Sequence, residues 1–359
     1  MMNDNLFSKE LHIACLAVQR ASLATRQVYA AADKGVSEKL DASLVTVADF
    51  AAQALLISAI HHNFPEDGFL GEETAMILRG NVQLQDRVWH VVSTAKLDDD
   101  PAGNELLAVP ASKGEMLDII DLGRRMLPDQ TGQRFWILDP VDGTSTFLQG
   151  KQYAVCLALV AEGAQKVGVL GCPNFAACHP PIMEDSANIH GPGFMLSAVA
   201  GHGAHVRPMS NKGSLEPARM VNHLHHIKTA QGIRFIDSST HPAISATAHA
   251  EVARELGVPW PGTELWAMQV KYAALSLGQG DVVIRMPPSK SFRPYVWDHA
   301  GGQLIFEEAG GKLTDINGRA FDFTVGLKLD NNYGLVGAPR HIHDQILRVV
   351  QRVAGGTPF

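Results

Sequence analysis

Cysteine is scarce in this chain and basic charge does not dominate it. The four cysteines, Cys15, Cys156, Cys172 and Cys178, show no C-x-x-C spacing. That argues against a disulfide framework and predicts reduced thiols in a cytoplasmic protein. Thirty Lys and Arg against 37 Asp and Glu leave a formal net charge of -7, the wrong sign for gripping a nucleic-acid duplex. A small phosphorylated substrate stays open, because bound metal ions reverse the local sign. No apolar run is long enough to span a bilayer, so no membrane partner is expected. The start, Met1-Met2-Asn3-Asp4-Asn5, lacks the basic-then-apolar order of a secretory leader. Repeats and low-complexity segments are missing as well. Of the sixteen histidines, His223, His225 and His226 cluster, but without Cys or Glu at zinc-site spacing they read as a solvated surface.

What is present describes a globular protein: 46% hydrophobic and 19% charged residues over 359 positions, a length that suggests two domains. Apolar periodicity predicts an amphipathic helix from about Ser8 to Ala31 and a second after Val45-Thr46-Val47-Ala48-Asp49, ending near Phe64. Residues 79 to 112 are mixed, and Asp98-Asp99-Asp100-Pro101 reads as an exposed loop. From Phe135 the texture turns to strands. A hairpin is predicted through Glu162-Gly163, and a Gly/Pro/His-rich stretch from about Cys178 to Gly193 suggests a junction between domains 1–178 and 179–359. Beyond it, strand-like and helical segments alternate, as in an α/β layer arrangement.

Chemistry concentrates in Asp139-Pro140-Val141-Asp142-Gly143-Thr144. Proline and glycine pin a turn in which two carboxylates and the Val141 carbonyl can converge, the oxygen cluster a hard divalent cation requires. As an isolated motif it could equally be a turn whose aspartates cap a helix. Further carboxylates stand at element boundaries: Asp49, Glu72 with Glu73, and Asp298. Asp49 could complete a capping box with Thr46, and Asp298 could cap a helix. Gly301 and Gly302 fall in the first turn of that helix, where each costs about 1 kcal/mol relative to Ala; a ligand or another backbone should approach there. Together these stations suit metal-assisted phosphate chemistry, in which two cations about 4 Å apart clamp the attacking and leaving oxygens.

The order D…G-E-E…D-P-V-D-G-T…W-D resembles the signature of the magnesium-dependent, lithium-inhibited phosphatases that include inositol monophosphatase and fructose-1,6-bisphosphatase. Within them the chain is most similar to the 3′(2′),5′-bisphosphate nucleotidases, through Val45–Asp49, Gly71–Glu73, Arg134–Asp139, Gln152–Val160, Gly168–Asn174 and Trp297–Gly301. The resemblance implies a layered α-β-α-β-α sandwich, an α+β N-terminal part and an α/β C-terminal part. It implies Mg²⁺ held by Glu72, Asp139 and the Val141 carbonyl, and a second ion held by Asp139, Asp142 and Asp298. A third would lie near Asp49 and Glu72, and Li⁺ would inhibit at the second site. Asp49 and Thr144 would orient and deprotonate water. Substrate contacts would fall on Asp142, Gly143, Thr144, Ser145, His241, Lys271, Arg285 and Asp298.

The resemblance weakens on the substrate side. Ser145-Thr146 stands where the nucleotidases usually carry Lys-Gly, and Met268 where a serine helps position the nucleotide. Asp237–Pro242 matches a Glu-x-x-x-x-His-Ser pattern only loosely. The implied activity is hydrolysis of adenosine 3′,5′-bisphosphate to AMP. A retuned inositol-phosphate or other small-phosphate hydrolase, and a non-catalytic phosphate sensor, are the alternatives.

Overall fold

Helix Val47–Asn63 is the inner pillar of the molecule. Every residue from Val47 to Ile60 is buried, the state expected of a helix apolar on all sides. In this computed structural model it is enclosed by helices Ser8–Ala30, Val82–Thr94 and Lys113–Leu122 and by strand Phe135–Asp142. The residues described are 7–31, 33–39, 43–124, 134–176, 182–188, 191–226, 229–239, 244–289 and 291–356.

Seven strands form the main sheet, in the order Gly68–Gly71, Phe135–Asp142, Ala154–Ala161, Ala164–Cys172, Phe194–Val199, Ala204–Pro208 and Arg219–Val221. The first pair is parallel and the rest are antiparallel. The predicted hairpin turns at Glu162-Gly163, with φ of 53° and 73°, the doubly positive pair whose twist suits a two-residue connection. The two long N-terminal helices cover one face. Helices Met268–Ser276 and Ala300–Glu308 cover the other. A three-stranded antiparallel sheet (Val283–Arg285, Leu335–Pro339, Gly311–Thr314) lies beyond them, backed by helices Ala246–Leu256 and His343–Gly356. The expected α-β-α-β-α layering is therefore present.

Residues 79–112 differ from the expected mixed segment and exposed loop. Helix Val82–Thr94 packs on the pillar, and Asp100 caps helix Pro101–Leu106, its Oδ1 accepting from Gly103 N at 2.8 Å. Asp-Pro is an N-cap followed by proline at the first helical position, where a missing N–H costs nothing. Asp100 is thus cap chemistry, while Asp98 and Asp99 lie exposed in a turn, as the loop reading expected.

The close approach expected at Gly301 and Gly302 is made by the protein itself. A Cβ on Gly301 would lie 2.6 Å from Cys156 Sγ, and one on Gly168 would lie 2.7 Å from the Gly301 carbonyl. At Gly302 it would meet Gln269 Oε1 at 2.4 Å. The helix backbone rests directly on the sheet. Gly301→Ala should therefore cost about 1–3 kcal/mol by overpacking, read as a lower thermal midpoint and greater urea sensitivity.

Candidate active site

Strand Phe135–Asp142 ends in a bulge. Asp139 pairs with Cys156 and Asp142 with Ala154, so three steps on one strand face two on the other. In a regular strand, residues three apart point to opposite faces. The extra residue, beside a proline with no N–H to pair, turns both carboxylates to one side. Gly143 follows at φ 90°, and a Cβ there would sit 2.6 Å from Thr146 Oγ1. Thr146 is buried and donates to the Gly143 and Gln152 carbonyls at 2.8 and 2.6 Å. Its departure from the Lys-Gly pattern therefore closes the turn.

Asp298 joins this pair. Helix Ala300–Glu308 starts two residues later with His299 at its N-cap, so Asp298 is not the cap that the sequence allowed. Its carboxylate, with those of Asp139 and Asp142, presents oxygens within 4.8 Å of one another. Asp142 Oδ2 accepts from the Gln269 amide at the start of helix Met268–Ser276. Gln269 fixes the geometry from behind, donating to the Trp297 carbonyl at 2.7 Å and accepting from Gly302 N at 2.9 Å. Burial pushes Asp142 up to about 7 against the pull of the Gln269 and Met268 amides. Burial and then Asp142 push Asp298 up to about 8. Asp139 is raised well above the usual carboxylate range by burial, then by Glu72, Asp142, Asp298 and Asp49. Asp139 Oδ1 is buried with no hydrogen-bond partner.

Asp49 serves two readings at once. It completes the capping box with Thr46, Oδ2 accepting from Thr46 N at 2.8 Å. Its other oxygen accepts from Thr144 Oγ1 at 3.1 Å, and the same hydroxyl lies 3.2 Å from the Val141 carbonyl. Burial raises Asp49 to about 6. Glu72 and Glu73 follow strand Gly68–Gly71 and share the ammonium of Lys39, at 2.7 and 2.5 Å. Burial alone would lower the Lys39 ammonium, but the charges of Glu72 and Glu73 outweigh it and hold it raised. Gln53 locks this corner, donating to the Glu73 carbonyl and accepting from its N–H at 2.7 and 2.9 Å. Arg124 joins the two halves of the site: its guanidinium donates to the Glu72 carbonyl at 2.5 Å and lies 5.0 Å over the Trp297 ring.

A cleft of about 350 Å³ opens from Asp142, Gly143, Thr144, Ser145 and Asp298 toward Met268 and Arg285. Its far wall holds Trp266, Phe292, Arg293, Pro294 and Tyr295. Arg285 lies 3.9 Å from the Met268 sulfur. Lys271 sits behind the cleft, buried, with its ammonium donated to Ser238 Oγ. Burial and then Arg285 lower it to about 8. His241 lies outside the described residues.

Residues 113–354 match the inositol monophosphatase family. The chain belongs to that family. Among curated relatives, the 3′(2′),5′-bisphosphate nucleotidase of Emericella nidulans is 39% identical, covering 97% of this chain and 99% of its own. That of Schizosaccharomyces pombe is 35% identical, covering 98% of each. Among solved structures, the extragenic suppressor protein suhB of Bartonella henselae superposes with a TM-score of 0.60 at 18% identity, over 96% of this chain and 99% of that one.

Members of the inositol monophosphatase family use magnesium, and the residues here fit it. Hard oxygen donors surround an orphaned carboxylate oxygen on Asp139, and a cation, the Lys39 ammonium, already stands between Glu72 and Glu73. Among the described residues, Asp139, Asp142 and Asp298 are the acidic or histidine cluster able to share an ion. His225 and His226 are exposed, as the surface reading expected, whereas His223 is partly buried with Nε2 4.0 Å from Asp281; none joins the cluster. Lys39, Arg124 and the far wall of the cleft were missed from the sequence. Tyr295 and Trp297 stack at 4.5 Å across the turn that leads into the helix, a contact the sequence does not signal.

Proposed function

We propose that the chain is a magnesium-dependent phosphomonoesterase that removes the 3′-phosphate of adenosine 3′,5′-bisphosphate, leaving AMP and phosphate, with a sulfated analogue as a second substrate. The observation that carries this reading is the meeting of Asp139, Asp142 and Asp298, the last two lining a cleft that also holds Arg285. Glu72, Asp139, the Val141 carbonyl, Asp142 and Asp298 are the residues that would hold two ions, with Glu72 and Asp49 beside a third. Bound there, magnesium supplies an acidified water and neutralises charge on the leaving oxygen; lithium would compete at Asp139, Asp142 and Asp298.

The chain's own groups do the rest. Thr144, held by Asp49, orients the attacking water and passes its proton toward the Asp49 carboxylate. The turn at Gly143-Thr144 receives phosphate oxygens beside Ser145. Arg285 meets the phosphate that does not react, with the charge of Lys271 behind it. Residues 1–178 supply most of the metal ligands, and residues 179–359 supply Asp298 and the substrate side. Buried free thiols at Cys15, Cys156 and Cys172 support a reducing, cytoplasmic setting.

A retuned phosphate-monoester hydrolase is the second reading, favoured by the Met268 thioether beside Arg285. Phosphate release by purified protein with magnesium separates the two. We expect kcat/KM for the nucleotide to exceed that for inositol 1-phosphate by at least about tenfold, the scale of one well-placed polar contact. The reverse order would install the second reading, and tight nucleotide binding without turnover would make the protein a sensor.

A further inference from the structure

We propose that His249 is a positioning residue that sets both substrate-side cations, Lys271 and Arg285, through one buried imidazole. The ring is fully buried on helix Ala246–Leu256 and meets Trp260 edge-on at 5.6 Å. Nδ1 lies 3.2 and 3.3 Å from the two oxygens of Asp237, and Nε2 lies 3.0 Å from the backbone nitrogen of Met286. A peptide N–H only donates, so Nε2 keeps its lone pair and the proton resides on Nδ1, facing Asp237. The neutral ring is a rigid strut with a donor at one end and an acceptor at the other.

Each end of the strut is one residue from a group on the substrate side. Asp237 Oδ1 also accepts from Ser238 N at 2.8 Å, and Ser238 Oγ takes the Lys271 ammonium while donating to the Leu265 carbonyl at 3.0 Å. Met286 follows Arg285, whose side chain lines the cleft. The Met286 carbonyl accepts from Ser245 N at 2.7 Å, and Ser245 caps the helix that carries His249. One helix therefore holds the Met286 peptide by both its N–H and its C=O. An apolar side chain at 249 would leave that N–H and a buried carboxylate short of partners.

The inference rests on the nucleotide reading, since only a substrate with a second phosphate needs both cations. Steady-state kinetics of His249→Asn and His249→Gln, with adenosine 3′,5′-bisphosphate and with 3′-AMP, test it. An asparagine amide can replace Nδ1 toward Asp237, and a glutamine oxygen can replace Nε2 toward Met286. We expect the Asn variant to raise KM for the bisphosphate about tenfold, the scale of one buried hydrogen bond. Its kcat, and both constants for 3′-AMP, should stay within about twofold. The Gln variant should show a smaller KM rise; should the Asn variant not fold, the Gln variant's KM for the bisphosphate against its KM for 3′-AMP decides the matter. Equal KM changes for both substrates, a shared fall in kcat, or a lower thermal midpoint with KM intact would each overturn the role. Wild-type protein without preference for the bisphosphate over 3′-AMP would overturn the substrate reading along with it; a preference that the variants leave intact overturns the inference alone.

Discussion

Asp139→Asn should reduce phosphate release on the order of 10³-fold or more, the scale seen when one preorganised electrostatic partner is lost, while making the metal-free protein more stable. The two effects have one cause. Asp139 is nearly inaccessible, has an unpartnered oxygen, and faces the charges of Glu72, Asp142, Asp298 and Asp49. Without a cation that arrangement is repulsive, and a neutral amide of the same shape relieves it. With a cation the repulsion becomes the binding energy, so the amide forfeits it. The measurement is phosphate release alongside thermal unfolding with and without magnesium. The variant should melt higher than wild type in chelator and show little response to added magnesium. Near-normal turnover, or a lower metal-free midpoint, would count against Asp139 as a shared ligand.

Metal-free wild-type protein should lose stability as the pH rises from about 4 to about 8, and magnesium should offset the loss. Asp49, Asp142 and Asp298 each move from 3.8 to about 6, 7 and 8 in the folded state. Raised folded values mean that the native state binds more protons than the unfolded state across that interval, so stability falls with pH. Their contribution is complete below about 3.8 and gone once the pH has passed the folded values. Lys271, lowered to about 8, acts with the opposite sign and only above that window. An ion that binds the native state alone adds about 2.7 kcal/mol when present at 100 times its dissociation constant. Calorimetric midpoints in chelator should therefore slope downward with pH, and those in saturating magnesium should lie flat or rise. A midpoint in chelator that climbs between pH 5 and pH 8 would show that these groups are not buried together.

The acidic stations were legible because side-chain chemistry and turn residues are written locally: Asp139-Pro-Val-Asp-Gly-Thr144 announces a bend and its oxygens. That both aspartates share one face was not legible, because it depends on the bulge opposite Cys156 and Ala154, a property of two strands. Asp298 looked like a helix cap by position, and only the packing of Gln269 against Trp297 and Gly302 shows why the helix starts later. Gly301 and Gly302 were rightly read as a place of close approach, but sequence cannot say what approaches. Residues 79–112 carry an apolar stripe in helix Val82–Thr94, with Leu84, Val88, Val91 and Val92 buried, which the charged and polar residues between them mask in the sequence. Arg124 and Lys39 carry no local signal. Their partners lie 52 and 33 residues away along the chain.

The Lys39 ammonium has a thermodynamic corollary. If Glu72 holds a divalent ion as proposed, that ion would enter by exchange with a tethered monovalent one, whose effective concentration is fixed by the chain and not by the medium. Apparent affinity at that corner is then the difference between two cations, and ions of low charge density gain little from the swap. Chelator would then restore an intramolecular counter-ion there, leaving the three aspartates opposite as the part of the pocket with no such understudy.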